Sequence, residues 1–174
     1  MDPKHLIFID ESGLNLALTR LYARAPRGVR AVGSVPRNYG QNLTVLAALD
    51  RNGIRAALLV AGATDGDVFR TFVEHVLVPK LRRGDRVVLD NLSAHKAAGV
   101  AEAISKAGAQ RLYLPPYSPD LNPIELAWSK SKGQLRTAGA RTRSKLQRCL
   151  RIARQQISPK EARAWFRHSG YGLH

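Results

Sequence analysis

Three acids in this sequence stand where a cation could be held: Asp10, Asp90 and Glu125. Asp10 closes the apolar run 5–10, Asp90 closes the run 86–90, and Glu125 falls in the first turn after Asn122-Pro123. Neighbouring strand ends in an α/β sheet present side chains into one crevice. If the two runs lie side by side, their aspartates meet, and a helix start after a further strand brings Glu125 beside them. Hard cations take carboxylate oxygens and keep waters free for substrate phosphates. Two such ions, roughly 4 Å apart, activate an attacking oxygen and stabilise a leaving one. Each acid also has a plainer reading. Asp10 could cap the turn at Ser12-Gly13, leaving Glu11 as the ligand, although Asp10 continues the strand more directly. Asp90 could be an Asx-type turn residue before Asn91. Asn122-x-x-Glu125 matches a capping box, in which the glutamate reaches back to the cap backbone.

The elements that must position these acids follow from periodicity and turn residues. Strands are expected at 5–10, 42–49, 54–60, 86–90 and 110–114, with Glu11-Ser12-Gly13 breaking the first. Asp50-Arg51-Asn52-Gly53 reads as a hairpin turn between the second and third. Val68, Phe69, Phe72, Val73, Val76 and Leu77 recur with helical spacing. Thr64 is placed to cap that helix, with Asp67 at its third position and Pro79 ending it. A second helix is expected over 96–107, closed by Gly108. A third opens at Asn122-Pro123 and runs to about 137. Leu146, Leu150, Ala153 and Ile157 form the apolar stripe of a fourth, and a short last helix starts near Pro159. Residues 14–41 read as a long loop with short extended pieces around Leu21-Tyr22-Ala23. A hairpin beside alternating strands and helices implies an α/β fold with a mixed sheet.

Charge narrows the partner. The 174 residues carry a formal net charge of +15. Residues 130–168 hold twelve basic residues against one acid, a net +11, while the rest of the chain carries only +4. So lopsided a segment repels itself until a polyanion neutralises it, which points to nucleic acid. The one cysteine, Cys149, excludes an internal disulfide and a cysteine zinc site, and suits a reducing compartment. No secretory signal and no apolar run of membrane length is present in the sequence.

Asp10-Glu11-Ser12-Gly13, the stretch Val87-Val88-Leu89-Asp90-Asn91-Leu92-Ser93-Ala94-His95-Lys96, and the stretch Leu114-Pro115-Pro116-Tyr117-Ser118-Pro119-Asp120-Leu121-Asn122-Pro123-Ile124-Glu125 resemble the mariner-like superfamily of cut-and-paste transposases, most closely its bacterial insertion-sequence branch. The 34 residues between Asp90 and Glu125 are the spacing typical of that family's Asp-Asp-Glu triad. The resemblance covers roughly residues 5–137. It implies an RNase H-like mixed sheet flanked by helices. It also implies Mg²⁺ or Mn²⁺, two ions, at Asp10, Asp90 and Glu125, and double-stranded DNA, both transposon ends and target, as substrate. Cleavage at the element's ends and attack of the freed 3′-hydroxyl on target DNA would then share one site. Asp120, in the proline loop, is passed over in favour of Glu125. Residues 1–140 are expected to form the catalytic domain, with 141–174 a basic helical extension packed on it.

Other residues take secondary roles in this reading. Asn91 and His95, just past the second acid, are candidates to contact a phosphate or to orient Asp90. Lys132 and Arg136 fall on the helix face of Glu125, and Arg148, Arg151 and Arg154 lie in the basic tail; all five are candidate DNA contacts. Tyr117 is expected to pack the loop and Trp128 to lie in the core. Relatives usually carry a helix-turn-helix region before the first strand, so end recognition is expected from a separate polypeptide or a region lost by truncation. A homodimer and a bacterial cytoplasmic, nucleoid-associated location complete the expectation. The rivals are a stand-alone RNase H-like nuclease, a non-catalytic DNA-binding remnant of a transposase, and a basic structural protein that leaves the proline motif unexplained.

Overall fold

The computed structural model describes residues 2–172. Five strands form one sheet in the order β3-β2-β1-β4-β5: β1 (Leu6–Leu14), β2 (Leu43–Asp50), β3 (Gly53–Ala61), β4 (Arg86–Leu89) and β5 (Gln110–Tyr113). The hairpin β2-β3 is antiparallel, β1 pairs antiparallel with β2, and β4 runs parallel to both β1 and β5. The mixed α/β sheet expected from the order of elements is therefore the architecture found. Gly53 closes the hairpin at φ +122°, a conformation that side chains other than hydrogen rarely adopt.

The pleat divides the core. Leu6 and Phe8 of β1 join Val88 of β4 in a cluster under α3 (Ile124–Ala138), α4 (Arg143–Gln155) and α5 (Pro159–His168). Ile7 and Ile9 join Val87 and Leu89 in a second cluster under α1 (Gly66–Phe72) and α2 (Val100–Lys106). Both faces are covered, which is why these strands read as apolar runs and not as alternating ones. Helices α4 and α5 belong to the first cluster: Leu146, Leu150, Ala162 and Phe166 are buried there, and Phe166 meets Phe8 edge-on at 5.3 Å between ring centroids. Among the described residues, no helix is long and apolar enough to cross a membrane.

Several boundaries differ from expectation. β1 does not stop at Asp10; it runs to Leu14 because β2 continues to pair with it, Leu14 opposite Leu43. Asp65, and not Thr64, caps α1, accepting the Val68 N–H at 2.9 Å. Past Phe72 that helix continues through a π turn, Val73–Leu77, and a 3₁₀ turn, Val78–Lys80, that accommodates Pro79. The helix expected over 96–107 is split: a 3₁₀ turn, Ser93–Lys96, precedes Gly99, whose φ of +88° interrupts the chain before α2. Residues 15–42 form no strand, Leu21-Tyr22-Ala23 included. Arg141 anchors this arm at its start, donating to the carbonyls of Leu16 and Leu18 at 3.0 and 2.8 Å.

Candidate active site

The parallel pairing of β1 with β4 sets Leu6 opposite Arg86 and Phe8 opposite Val88, so Asp10, within β1, comes level with Asp90 just past the end of β4. Helix α3 starts beyond β5 with its first turn at that end, and it carries Glu125. All three acids line one cavity of about 380 Å³, walled by Leu114, Pro115, Pro116, Tyr117 and Pro119. The proline-rich loop thus forms a wall, and the acids form the floor.

The pleat sends Asp10 and Glu11 to opposite faces of the sheet. Successive strand residues point to opposite faces. Asp10 shares the face of Leu6 and Phe8, toward α3, where its Oδ2 accepts the indole N–H of Trp128 at 3.2 Å. Its Oδ1 accepts the Glu11 backbone N–H at 2.8 Å. Glu11 turns to the face of Ile7 and Ile9 and is not among the cavity's residues. Burial, and then the negative charge of Glu125 with Glu11 adding to it, push the Asp10 carboxyl up to about 7 against the pull of its two N–H donors. This is the signature of carboxylates gathered without a counter-charge.

Asp90 is half-buried and accepts the Leu92 N–H at 3.0 Å, the Asx-type contact that its position suggested. That contact uses one oxygen and leaves the residue on the cavity floor. The capping box anticipated at Glu125 is not formed. The Asn122 carbonyl accepts the Glu125 N–H at 3.1 Å, but the Asn122 side-chain oxygen is buried without a partner and no side chain caps the helix. Glu125 therefore presents an exposed carboxylate, unclaimed by its own helix. Among the described residues, no three of His, Cys, Asp and Glu are drawn together as a closed ligand set. The donor chemistry, three carboxylates on one cavity with Asp10 and Glu125 in electrostatic conflict, nevertheless fits a hard divalent cation.

The remaining candidates separate. Asn91 lines the cavity and donates from Nδ2 to the Leu114 carbonyl at 2.7 Å, tying the ends of β4 and β5. His95 is 0% exposed, so the expected phosphate contact is corrected: the imidazole lies beneath the site. Its Nε2 is 2.9 Å from Glu11 Oε2, and its Nδ1 is 2.6 Å from Asp90 Oδ1. The second contact is short but lies outside the angular range of a hydrogen bond, and Nδ1 has no other partner. Burial alone holds the imidazole's proton affinity down; the Glu11 hydrogen bond and the charges of Glu11 and Asp90 outweigh it, and the net shift is upward. Tyr117 does not pack the loop. It is fully exposed and is the one non-glycine residue with positive φ, 55°, among the described residues. Trp128 is buried as expected, but its bond to Asp10 was invisible in the sequence, because only a folded α3 brings 128 to 10. Asp120 is exposed and outside the cavity.

Lys132 and Arg136 are half-buried on α3, with Arg136 beside Arg20 and Tyr22 of the arm. Arg148, Arg151 and Arg154 line another cavity between α4 and β3, with Val45, Ala57 and Leu59 as its apolar lining. Burial holds the Arg154 guanidinium below its ordinary proton affinity, and its Nε has no partner. Lys130, another cation of the basic stretch, is already engaged by Glu161 at 2.6 Å and by the Gln156 carbonyl at 2.7 Å.

Comparison with known proteins bears on this geometry. The family model described as DDE superfamily endonuclease matches residues 5–147. Comparison with curated proteins finds no match. The fold is similar to that of the Mos1 mariner paired end complex with Mn, with a TM-score of 0.74 and 17% identity over 95% of this chain and 52% of that one. It is also similar to the catalytic domain of Mos1 mariner transposase, with a TM-score of 0.68 and 14% identity over 95% of this chain and 76% of that one. The same catalytic domain with Raltegravir and Mg gives a TM-score of 0.70 and 14% identity over 95% and 78%. The chain spans about half the length of the transposase chain in the paired end complex. At these identities the likeness is one of fold, and it agrees with the RNase H-like sheet that the sequence motifs implied.

Proposed function

The chain belongs to the DDE superfamily of endonucleases, and from that premise we propose that it is the catalytic part of a DNA transposase whose Asp10, Asp90 and Glu125 hold Mg²⁺ or Mn²⁺. The observation that carries this is the gathering of Asp10, Asp90 and Glu125 on one cavity, where burial and then the Glu125 charge push the Asp10 carboxyl up to about 7. Two bound ions would supply the nucleophile activation and leaving-group stabilisation of an in-line displacement at phosphorus. The solved relatives with Mn and with Mg support the choice of cation.

The protein's own contribution is positioning. Trp128 and the Glu11 N–H fix both Asp10 oxygens, so this acid is oriented before any ligand arrives. The Leu92 N–H holds one oxygen of Asp90, and Asn91 locks the β4 end to the β5 end beneath it. Glu125 sits on the first turn of a 15-residue helix anchored by buried Ile124, Ala127 and Trp128. The proline wall keeps the cavity shaped and limits water around the reacting phosphate. Residues 1–140 would form the catalytic domain, and the basic extension 141–174, whose helices α4 and α5 pack on the same core, would present Arg148, Arg151 and Arg154 to the DNA backbone. Lys132 and Arg136 extend that surface along α3. The Mos1 mariner paired end complex supports transposon ends as substrate; double-stranded DNA as their form and a homodimer as the working unit belong to the proposal. End recognition by a helix-turn-helix polypeptide, and a bacterial chromosome in the cytoplasm as the target, complete the proposal.

The test is a strand-transfer assay with pre-cut element ends, Mg²⁺ or Mn²⁺, and a supplied end-recognition domain. Joined product that vanishes with Asp90→Asn supports transposition. Cutting without joining reduces the protein to a nuclease, and neither activity returns it to a DNA-binding remnant.

A further inference from the structure

Glu11 follows a proposed ligand directly yet faces the other side of the sheet, and His95 follows another by five residues yet is completely buried. These two side chains meet: His95 Nε2 lies 2.9 Å from Glu11 Oε2. The other ring nitrogen, Nδ1, lies 2.6 Å from Asp90 Oδ1, a close charge contact outside hydrogen-bond angles, and makes no hydrogen bond. The ring is packed against Phe69 of α1, with centroids 4.3 Å apart, so it cannot swing out. Tyr113 donates to the His95 carbonyl at 3.4 Å, fixing the backbone of the same turn to β5.

We infer that His95 is a positioning residue: clamped by Glu11 on one side, it sets the direction of the Asp90 carboxylate on the other. This rests on the cation site proposed above and assigns its support. A purely structural histidine would satisfy its nitrogens on backbone or solvent. Here each nitrogen lies close to a carboxylate oxygen, that of Glu11 within β1 and that of Asp90 just past β4, the two parallel strands whose acids must converge. The clamp therefore links β1 to β4 from beneath, as Trp128 links β1 to α3 from above. Outer partners of this kind typically change metal affinity by roughly 10–100-fold when removed.

Two amides separate the two contacts. His95→Asn places its amide near the Nδ1 position, keeping a donor toward Asp90 and losing Glu11. His95→Gln reaches the Nε2 position, keeping Glu11 and losing Asp90. Nitrogen-15 shifts of the histidine ring in the metal-free protein should move at Nε2 in Glu11→Gln and at Nδ1 in Asp90→Asn. Mn²⁺ titration followed by electron paramagnetic resonance should then show His95→Gln losing roughly tenfold in affinity, His95→Asn losing less, and melting temperatures of the two variants agreeing. Ring shifts unmoved by either acid substitution overturn the clamp. So do two histidine variants that bind Mn²⁺ like wild type while Asp90→Asn does not. If both histidine variants are unfolded, Glu11→Gln alone decides: it must weaken Mn²⁺ in a folded protein, and unchanged affinity overturns the inference. If Asp90→Asn itself binds Mn²⁺ like wild type, Asp90 is not a ligand of the cation site, and the positioning role falls with it.

Discussion

The acid cavity and the arginine face of α4 are both charged surfaces of one sign, yet they are built on opposite terms. In the cavity a carboxylate is buried beside another, and its proton affinity rises to about 7. On α4, Arg148 and Arg151 are exposed to solvent, and only Arg154 is half-buried. A buried charge such as that of Asp10 interacts strongly with like charges beside it and answers only to a counter-charge placed among them. Exposed ones are screened, interchangeable, and add up along a surface. The lesson is that substitution in the first region should be all-or-none, and in the second graded.

The sharpest contrast should come from Glu125→Gln. With no capping box to lose, the change removes one charge from the cavity and leaves α3 intact. Metal-dependent cleavage should fall by roughly a hundredfold or more, as when one electrostatic contact to a reacting centre is removed. The melting temperature of the metal-free protein should hold or rise. Cleavage assays beside melting curves check both, and near wild-type cleavage would return Glu125 to a surface role.

Asp10→Asn should stabilise the metal-free fold at neutral pH. The folded carboxyl titrates near 7 against an ordinary 3.8, so its protonated form favours folding. That contribution is complete below 3.8 and is lost as pH rises through 7. The gain from the substitution should therefore grow from pH 4 to pH 7 and level off above, reaching on the order of a few kcal/mol. Denaturant melts at several pH values read it, and a gain independent of pH would mean that the carboxyl carries no penalty.

Replacing Arg148, Arg151 and Arg154 together by Gln should only weaken DNA binding. The slope of log affinity against log salt should flatten by about 2.7 if all three touch phosphate. Titrations at several salt concentrations measure this, and an unchanged slope would leave the three as solvated surface. The smallest effect is expected at Glu161, which completes a capping box with Ser158 and pairs with Lys130. These contacts lower its carboxyl to about 2, so its stabilisation is present above 4.5 and fades as pH falls toward 2. The side chain is more than a third exposed, and screening keeps Glu161→Ala near ~1 kcal/mol at neutral pH, a shift that thermal melts can resolve.

Much of this contrast was legible in the chain. The order of elements gave the mixed sheet, and local punctuation such as Asn52-Gly53 and Pro159 marked a hairpin and a helix start. What resisted were pairings across sequence distance. β1 overran its expected end because β2 was available to pair with Ser12 and Gly13, a tertiary fact that propensity does not contain. Asp65 displaced Thr64 as cap through a choice of one residue, within the ordinary uncertainty of helix ends. Strand continuity alone favoured Asp10 over Glu11, because the faces the two side chains take depend on partners distant in sequence. His95 read equally as a phosphate contact or as a partner of Asp90, because nothing local says that Phe69 will cover it. Tyr117 read as packing because an aromatic between prolines usually packs, whereas here its backbone turns it outward.

The most direct test of the central claim is calorimetric titration of Mn²⁺ into wild type, Asp10→Asn, Asp90→Asn and Glu125→Gln, each shown to be folded. If the three carboxylates act as one cation site, each single substitution should abolish or greatly weaken binding. Any one of the three variants binding as tightly as wild type would contradict the claim for that residue, and all three doing so would remove the site.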